Sequence, residues 1–225
     1  MIGGDGSYRG AMGLRAEHGT PCIGVPGTID NDIGGTDFTI GFDTAFNTAI
    51  DAIDRIRDTA QSHERIFFIE VMGRESGYLA MASGVAGGAE EILVPENPSE
   101  LGGVVERLRR NRDKGKKSAI IVVAEGDEAG NAITVAQRIA ERSEFTDYRV
   151  MVIGHLQRGG RPSAFDRMLA SRMGVRAVEA LVEGESGKMV GIRANEIVLA
   201  PLSHAWEHRS SFDPRLAREA RILAT

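Results

Sequence analysis

Short runs of apolar, largely β-branched residues recur along the chain: Cys22 to Val25, Ile66 to Val71, Ile92 to Val94, Ala119 to Ala124, Val150 to Ile153 and Ile197 to Leu199. Each run is nearly continuous rather than alternating, the pattern of strands buried on both faces, as in parallel sheets. Helical spacing lies between the runs. Phe42, Ala45, Phe46, Ala49, Ile53 and Ile56 recur at three and four, with Asp51, Asp54 and Asp58 left for the wet face. Leu101 to Arg112 is a shorter amphipathic segment, and Phe165, Leu169, Met173, Ala177 and Leu181 form a third stripe. Alternating strands and helices predict an α/β fold with mainly parallel sheets. In such folds ligands bind at the carboxyl ends of the strands.

Composition narrows the class without choosing a function. The 225 residues are 42% hydrophobic and 26% charged, ordinary values for a globular protein. A net charge of −5 gives no global basic excess, so nucleic acid is not an expected partner. The single cysteine, Cys22, excludes an intrachain disulfide and reads as a small buried hydrophobe. With no signal peptide and no apolar run of membrane length, a cytoplasmic protein without membrane contact is expected. The 28 glycines fall in small clusters, where backbone turns sharply or approaches a ligand.

Four polar clusters each follow, or should follow, a buried strand. Gly3-Gly4-Asp5-Gly6-Ser7 can aim backbone N–H groups at phosphate oxygens while Asp5 serves Mg²⁺; it reads equally as a capped glycine turn. Pro26-Gly27-Thr28-Ile29-Asp30-Asn31-Asp32 sets two carboxylates two residues apart, one to take a proton and one to serve a metal. A plain Asx-rich turn remains the alternative. Met72-Gly73-Arg74 places a cation at a strand end. Gly154-His155-Leu156-Gln157-Arg158-Gly159-Gly160 offers an imidazole, an amide and a guanidinium, which suit a phosphorylated, hydroxyl-rich ligand.

In order and spacing these four segments resemble the signature segments of bacterial-type ATP-dependent 6-phosphofructokinase, the phosphofructokinase A family, over nearly the whole chain. The resemblance implies two Rossmann-like α/β/α lobes with the active site between them. Residues 1–41 and 154–204 would form an ATP-binding lobe, and residues 42–153 and 205–225 a lobe for fructose 6-phosphate. It implies transfer of the γ-phosphoryl of Mg-ATP to the sugar 1-hydroxyl, giving ADP and fructose 1,6-bisphosphate. Asp30 would be the base, Thr28 would contact the transferring group, and Asp5 would serve Mg²⁺ with Asp32 nearby. Gly4, Asp5, Gly6 and Ser7 would touch the ATP phosphates. Arg74 would stabilise the γ-phosphoryl, with Met72 and Gly73 lining the sugar. Glu125 and Arg158 would hold sugar hydroxyls, and Arg65, Arg149 and His155 the 6-phosphate. In the family the counterparts of Arg65 and Arg149 come from a neighbouring subunit, so a homotetramer is implied. Arg57, Gly88, Glu90, Lys114 and Lys116, in part a basic run with Lys117, fall at positions of a regulatory nucleotide site; a solvated charge run is the alternative for the lysines.

Only Met1 and Ile2 precede the first glycine loop, so the first strand and crossover helix of the nucleotide lobe are expected to be missing. The segment alone is then expected to be poorly soluble and to have little activity. A pyrophosphate-dependent relative, or a non-catalytic fragment or regulatory subunit that binds sugar phosphate, are the competing readings. Gly6 and Gly27 favour ATP, because the pyrophosphate-using relatives carry aspartate and lysine there.

Overall fold

A computed structural model describes residues 1–97 and 100–224, so the final position of the expected range 205–225 lies outside the described residues. Along the chain run β1 (Ile2–Gly3), α1 (Asp5–His18), β2 (Ile23–Thr28), β3 (Ile40–Gly41), α2 (Phe42–His63), β4 (Ile66–Val71) and α3 (Tyr78–Ala86). There follow β5 (Glu91–Leu93), α4 (Leu101–Asp113), β6 (Ala119–Ala124), α5 (Ala132–Glu141), β7 (Tyr148–Val152) and a 3-10 turn (Gly154–Arg158). The chain closes with α6 (Ala164–Val182), β8 (Lys188–Arg193), β9 (Glu196–Pro201), α7 (His204–Glu207) and α8 (Pro214–Leu223). Two compact units result: Met1–Thr44 with Arg161–Ser211, and Ala45–Gly160 with Phe212–Thr225.

The second unit holds a four-stranded sheet in the order β5-β6-β4-β7, parallel throughout. Its logic is clearest in β6, where every residue is buried. Ala119, Ile121 and Val123 pack with residues of α4 and α5, such as Val104, Leu108, Val135 and Ile139. Ile120, Val122 and Ala124 pack on the other face with Ile53 of α2, Ala80 and Met81 of α3, and Phe212 beside α8. A strand covered on both faces has no polar face, hence the unbroken apolar run. Asn131 caps α5 by accepting from the Thr134 N–H, and Asp213 caps α8 ahead of Pro214.

The first unit holds a sheet in the order β1-β2-β8-β9, with β3 also paired to β2. All pairs are parallel except β8 with β9. Ile23, Val25, Val190 and Ile192 face Leu169, Met173, Ala177 and Ala180 of α6. Met189 lies in the cluster with Tyr8 and Ala11 of α1 and with Leu202. Ser163 caps α6 by accepting from the Asp166 N–H.

Several local expectations are corrected. The stretch from Gly3 to Ser7 is not a loop: Gly3 ends a strand, Gly4 is the helix N-cap, and Asp5 to Ser7 form the first turn of α1. Three glycines within α1 hide it from a propensity argument, and burial of Tyr8 and Ala11 overrides that weakness. The stripe assigned to α6 is partly wrong at its ends. Phe165 and Leu181 are exposed, and Phe165 packs edge-on against Phe38 with ring centroids 5.1 Å apart. Strand β8 was not expected, because Lys188, Gly191 and Arg193 dilute its apolar content.

Candidate active site

In the first unit, β1 and β2 lie side by side, with Gly3 in register with Pro26. Their carboxyl ends bring the start of α1 next to the turn after Thr28; a Cβ on Gly4 would lie 3.9 Å from that of Thr28. Gly4 supplies no side-chain cap to α1. The N–H groups of Asp5, Gly6 and Ser7 therefore have no intrahelical acceptor, and the helix dipole adds partial positive charge at the same place. That arrangement receives phosphate. Gly3 is required by its surroundings: its φ is +154° and a Cβ would come within 2.3 Å of Ser7 Oγ.

The turn from Thr28 to Asp32 is held by short polar contacts. The Asp30 N–H donates to Thr28 Oγ1 at 3.2 Å. Asn31 adopts a left-handed φ of +49°, and its Oδ1 accepts from the Thr39 N–H at 2.7 Å. Thr39 Oγ1 in turn donates to the Thr28 carbonyl at 2.7 Å. Asn31 has only 2% of its surface exposed. It staples the turn from within. Asp30 is buried. Burial, foremost, then the negative charges of Asp30 and Asp5, push the Asp32 carboxyl above the usual range, while Arg209 pulls it down. Asp30 and Asp5 are thus near enough for their charges to act on Asp32.

In the second unit, adjacent strands β7, β4 and β6 deliver their polar clusters to one edge. Met72 to Arg74 follow β4, Glu125 follows β6, and the turn Gly154–Arg158 follows β7. Glu125 Oε1 accepts from the Arg74 N–H at 2.7 Å and from the Gly73 N–H at 3.4 Å. Arg74, His155 and Arg158 are exposed at this edge. Gln157, expected to face a ligand, is instead buried, and its Oε1 accepts from the Met72 N–H at 2.8 Å.

Arg65 and Arg149 are not brought to that edge. Arg65 precedes β4, and Arg149 pairs with Phe67 near the start of β4. At about 3.3 Å per residue Arg65 lies roughly 20 Å from the end of β4 that carries Arg74, and Arg149 roughly 10 Å from the end of β7 that precedes His155. Asp147 gathers them at the amino edge: its carboxylate accepts from Arg65 Nε at 3.1 Å and from Arg149 at 3.0 Å. The Arg65 hydrogen bond, above all, holds the Asp147 carboxyl below its ordinary range.

The residues expected at a regulatory site carry structural bonds. Arg57 donates to the carbonyls of Gly87 and Gly88 just past α3, and Gly88 has a φ of +65°. Glu90 accepts from the Ile120 N–H at 2.7 Å, and Lys116 donates to the Ala224 carbonyl at 3.0 Å. Lys114 is the exposed C-cap of α4. Lys117 pairs with Glu64 at 2.6 Å.

Residues 1–181 match the family model described as phosphofructokinase. The chain belongs to the phosphofructokinase family. It is 57% identical over 223 residues to the ATP-dependent 6-phosphofructokinase 1 of Thermus thermophilus, covering 99% of this chain and 69% of that protein. It is 56% identical over 224 residues to the ATP-dependent 6-phosphofructokinase of Listeria monocytogenes, covering 100% of this chain and again 69% of the relative. Among solved structures, phosphofructokinase from Saccharomyces cerevisiae superposes with a TM-score of 0.85 at 30% identity, over 99% of this chain and 36% of that one. A pyrophosphate-dependent phosphofructokinase from Marinobacter aquaeolei superposes with a TM-score of 0.79 at 27% identity, over 99% of this chain and 66% of that one. The family's mixed α/β fold is thus the fold of this chain. Among the described residues no helix is long and apolar enough to cross a membrane.

Proposed function

We propose that the chain transfers the γ-phosphoryl of Mg-ATP to the 1-hydroxyl of fructose 6-phosphate, releasing ADP and fructose 1,6-bisphosphate, as a cytoplasmic step of glycolysis. One observation carries the reading on the nucleotide side. The turn that carries Asp30 and Asp32 lies beside the start of α1, a helix N-terminus that bears Asp5 and has no side-chain cap. Phosphoryl transfer is mostly positioning and charge stabilisation, and this arrangement offers both.

Each residue then has a task. The N–H groups at Gly4 to Ser7 receive the ATP phosphates. Asp30 takes the proton of the attacking hydroxyl, and Thr28 contacts the group in transit. Among the described residues no three His, Cys, Asp or Glu side chains form a cage for a metal. Mg²⁺ is commonly bound through one or two carboxylates, phosphate oxygens and water. Asp5 and Asp32 are the carboxylates that would hold it, and the ion would offset charge on the β- and γ-phosphates. Met72, Gly73, Glu125 and Arg158 hold the sugar, His155 the 6-phosphate, and Arg74 the charge on the γ-phosphoryl. Arg65 and Arg149 serve the 6-phosphate from a second copy, in a homotetramer. Arg57, Gly88, Glu90, Lys114 and Lys116 form part of an effector site.

Steady-state turnover of fructose 6-phosphate with ATP tests the assignment. Asp30→Asn is expected to lower kcat by about two orders of magnitude or more while KM for the sugar changes little, because the carboxylate is needed when the proton leaves. A variant within about threefold of the parent in kcat would remove Asp30 from this role.

A further inference from the structure

The loop from Met72 to Ser76 is held in a tense shape. Gly73 has a φ of +155°, and a Cβ there would come within 2.2 Å of the Ser76 carbonyl oxygen. Arg74 takes a left-handed φ of +53°, uncommon for a residue with a Cβ. The Ser76 N–H closes the loop by donating to the Gly73 carbonyl at 2.8 Å. Just past the flanking strand β6, Gly126 leaves no room to yield: a Cβ there would sit 1.8 Å from the Arg74 carbonyl oxygen. Such conformations persist only where neighbours impose them.

Two side chains impose this one. Three successive N–H groups leave β4 without a ladder partner, and each finds a side-chain oxygen. Glu125, beyond β6, takes Gly73 and Arg74. Gln157, beyond β7, takes Met72 at 2.8 Å. The orientation of the Gln157 amide is decided by chemistry, since an N–H donor must face its oxygen. Its Nε2 is then turned into the protein, buried and without an acceptor among the described residues. A buried amide nitrogen without an acceptor costs free energy that an apolar side chain of similar size avoids. Packing therefore does not account for a glutamine here, whereas its carbonyl oxygen does. Gln157 also sits in the turn that exposes His155 and Arg158, with 2% of its own surface exposed.

We propose that Gln157 is a positioning residue, tying the His155–Arg158 turn to Met72 and so setting the place of Arg74 two residues on. The inference rests on the function proposed above for those neighbours. The turn that holds the sugar phosphate and the loop that carries Arg74 then move as one piece.

The test compares the 225-residue chain with Gln157→Leu and Gln157→Glu. Leucine removes the acceptor, and glutamate keeps an acceptor oxygen whether protonated or ionised. Hydrogen–deuterium exchange of peptides over residues 72–76 and over β6 is read beside kcat and KM for fructose 6-phosphate with ATP. Gln157→Leu is expected to speed exchange at 72–76 by about tenfold with β6 unchanged, the scale of one lost buried hydrogen bond. It should lower kcat by about tenfold or more with less than about a threefold rise in KM, and Gln157→Glu should restore both readouts. Unchanged exchange at 72–76, equal acceleration across β6, or a glutamate variant behaving as leucine would each overturn the proposal. If turnover by the 225-residue chain is too slow to read, local exchange with its rescue by glutamate still decides the positioning role, separately from the proposed function.

Discussion

Asp32 stands half-buried among other carboxylates, and its raised proton affinity has a consequence for stability. Burial and the charges of Asp30 and Asp5 hold its folded-state pKa above the unfolded value. Between the unfolded and folded values the native state binds more protons, so stability falls as pH rises through that window. Above it Asp32 remains a constant destabilising charge. Asp32→Asn is therefore expected to raise the urea midpoint at pH 7.5, with the gain shrinking towards pH 4 as the parent carboxyl protonates. An asparagine variant no more stable at neutral pH would contradict this account. Gly6 makes a second point at this scale. A Cβ there would meet nothing within 4 Å, so packing does not demand glycine. Gly6→Asp should lower kcat/KM for ATP by roughly tenfold or more, through repulsion of the donor phosphates, while pyrophosphate suffers less. Equal losses with both donors would reject that explanation. The placement of Asp30 and Asp32 just after a buried strand was legible in the sequence, because it needs only local context. The inward turn of Gln157 was not legible, because its partner N–H lies 85 residues away in the chain.

The elements most visible in the sequence are those whose burial is two-sided. The runs Ile66 to Val71 and Ala119 to Ala124 became β4 and β6 at those limits. Elements with mixed composition were harder to see. Helix α1 contains Gly6, Gly10 and Gly13, and its buried positions are Tyr8 and Ala11. Its packing explains a glycine elsewhere: a Cβ on Gly24 of β2 would lie 2.7 Å from both the Tyr8 ring and the Leu202 side chain. Gly24→Ala is expected to cost roughly 1–3 kcal/mol through overpacking, against the slight gain that alanine would bring to an open strand position. Chemical denaturation reads this directly, and an unchanged midpoint would mean that α1 yields without cost.

At the scale of the whole molecule, the decisive feature is that one chain carries its phosphate-binding candidates on opposite edges of one sheet. Arg65 and Arg149 share Asp147 at the amino edge, while Arg74, Glu125, His155 and Arg158 follow the carboxyl ends. If a second copy completes the site, Arg149→Ala and His155→Ala chains, each weak alone, should regain sugar-dependent turnover when co-refolded. No recovery in verified mixed oligomers would mean that each chain builds its own 6-phosphate site. The sequence by itself determined the α/β class and the placement of polar clusters after buried strands, because a residue's relation to the run before it is local and survives in the one-dimensional pattern. Only the tertiary structure decided which strand ends share an edge. That order depends on pairings such as Ile66 with Ala119 and with Tyr148, and such pairings are chosen by the packing of both sheet faces together.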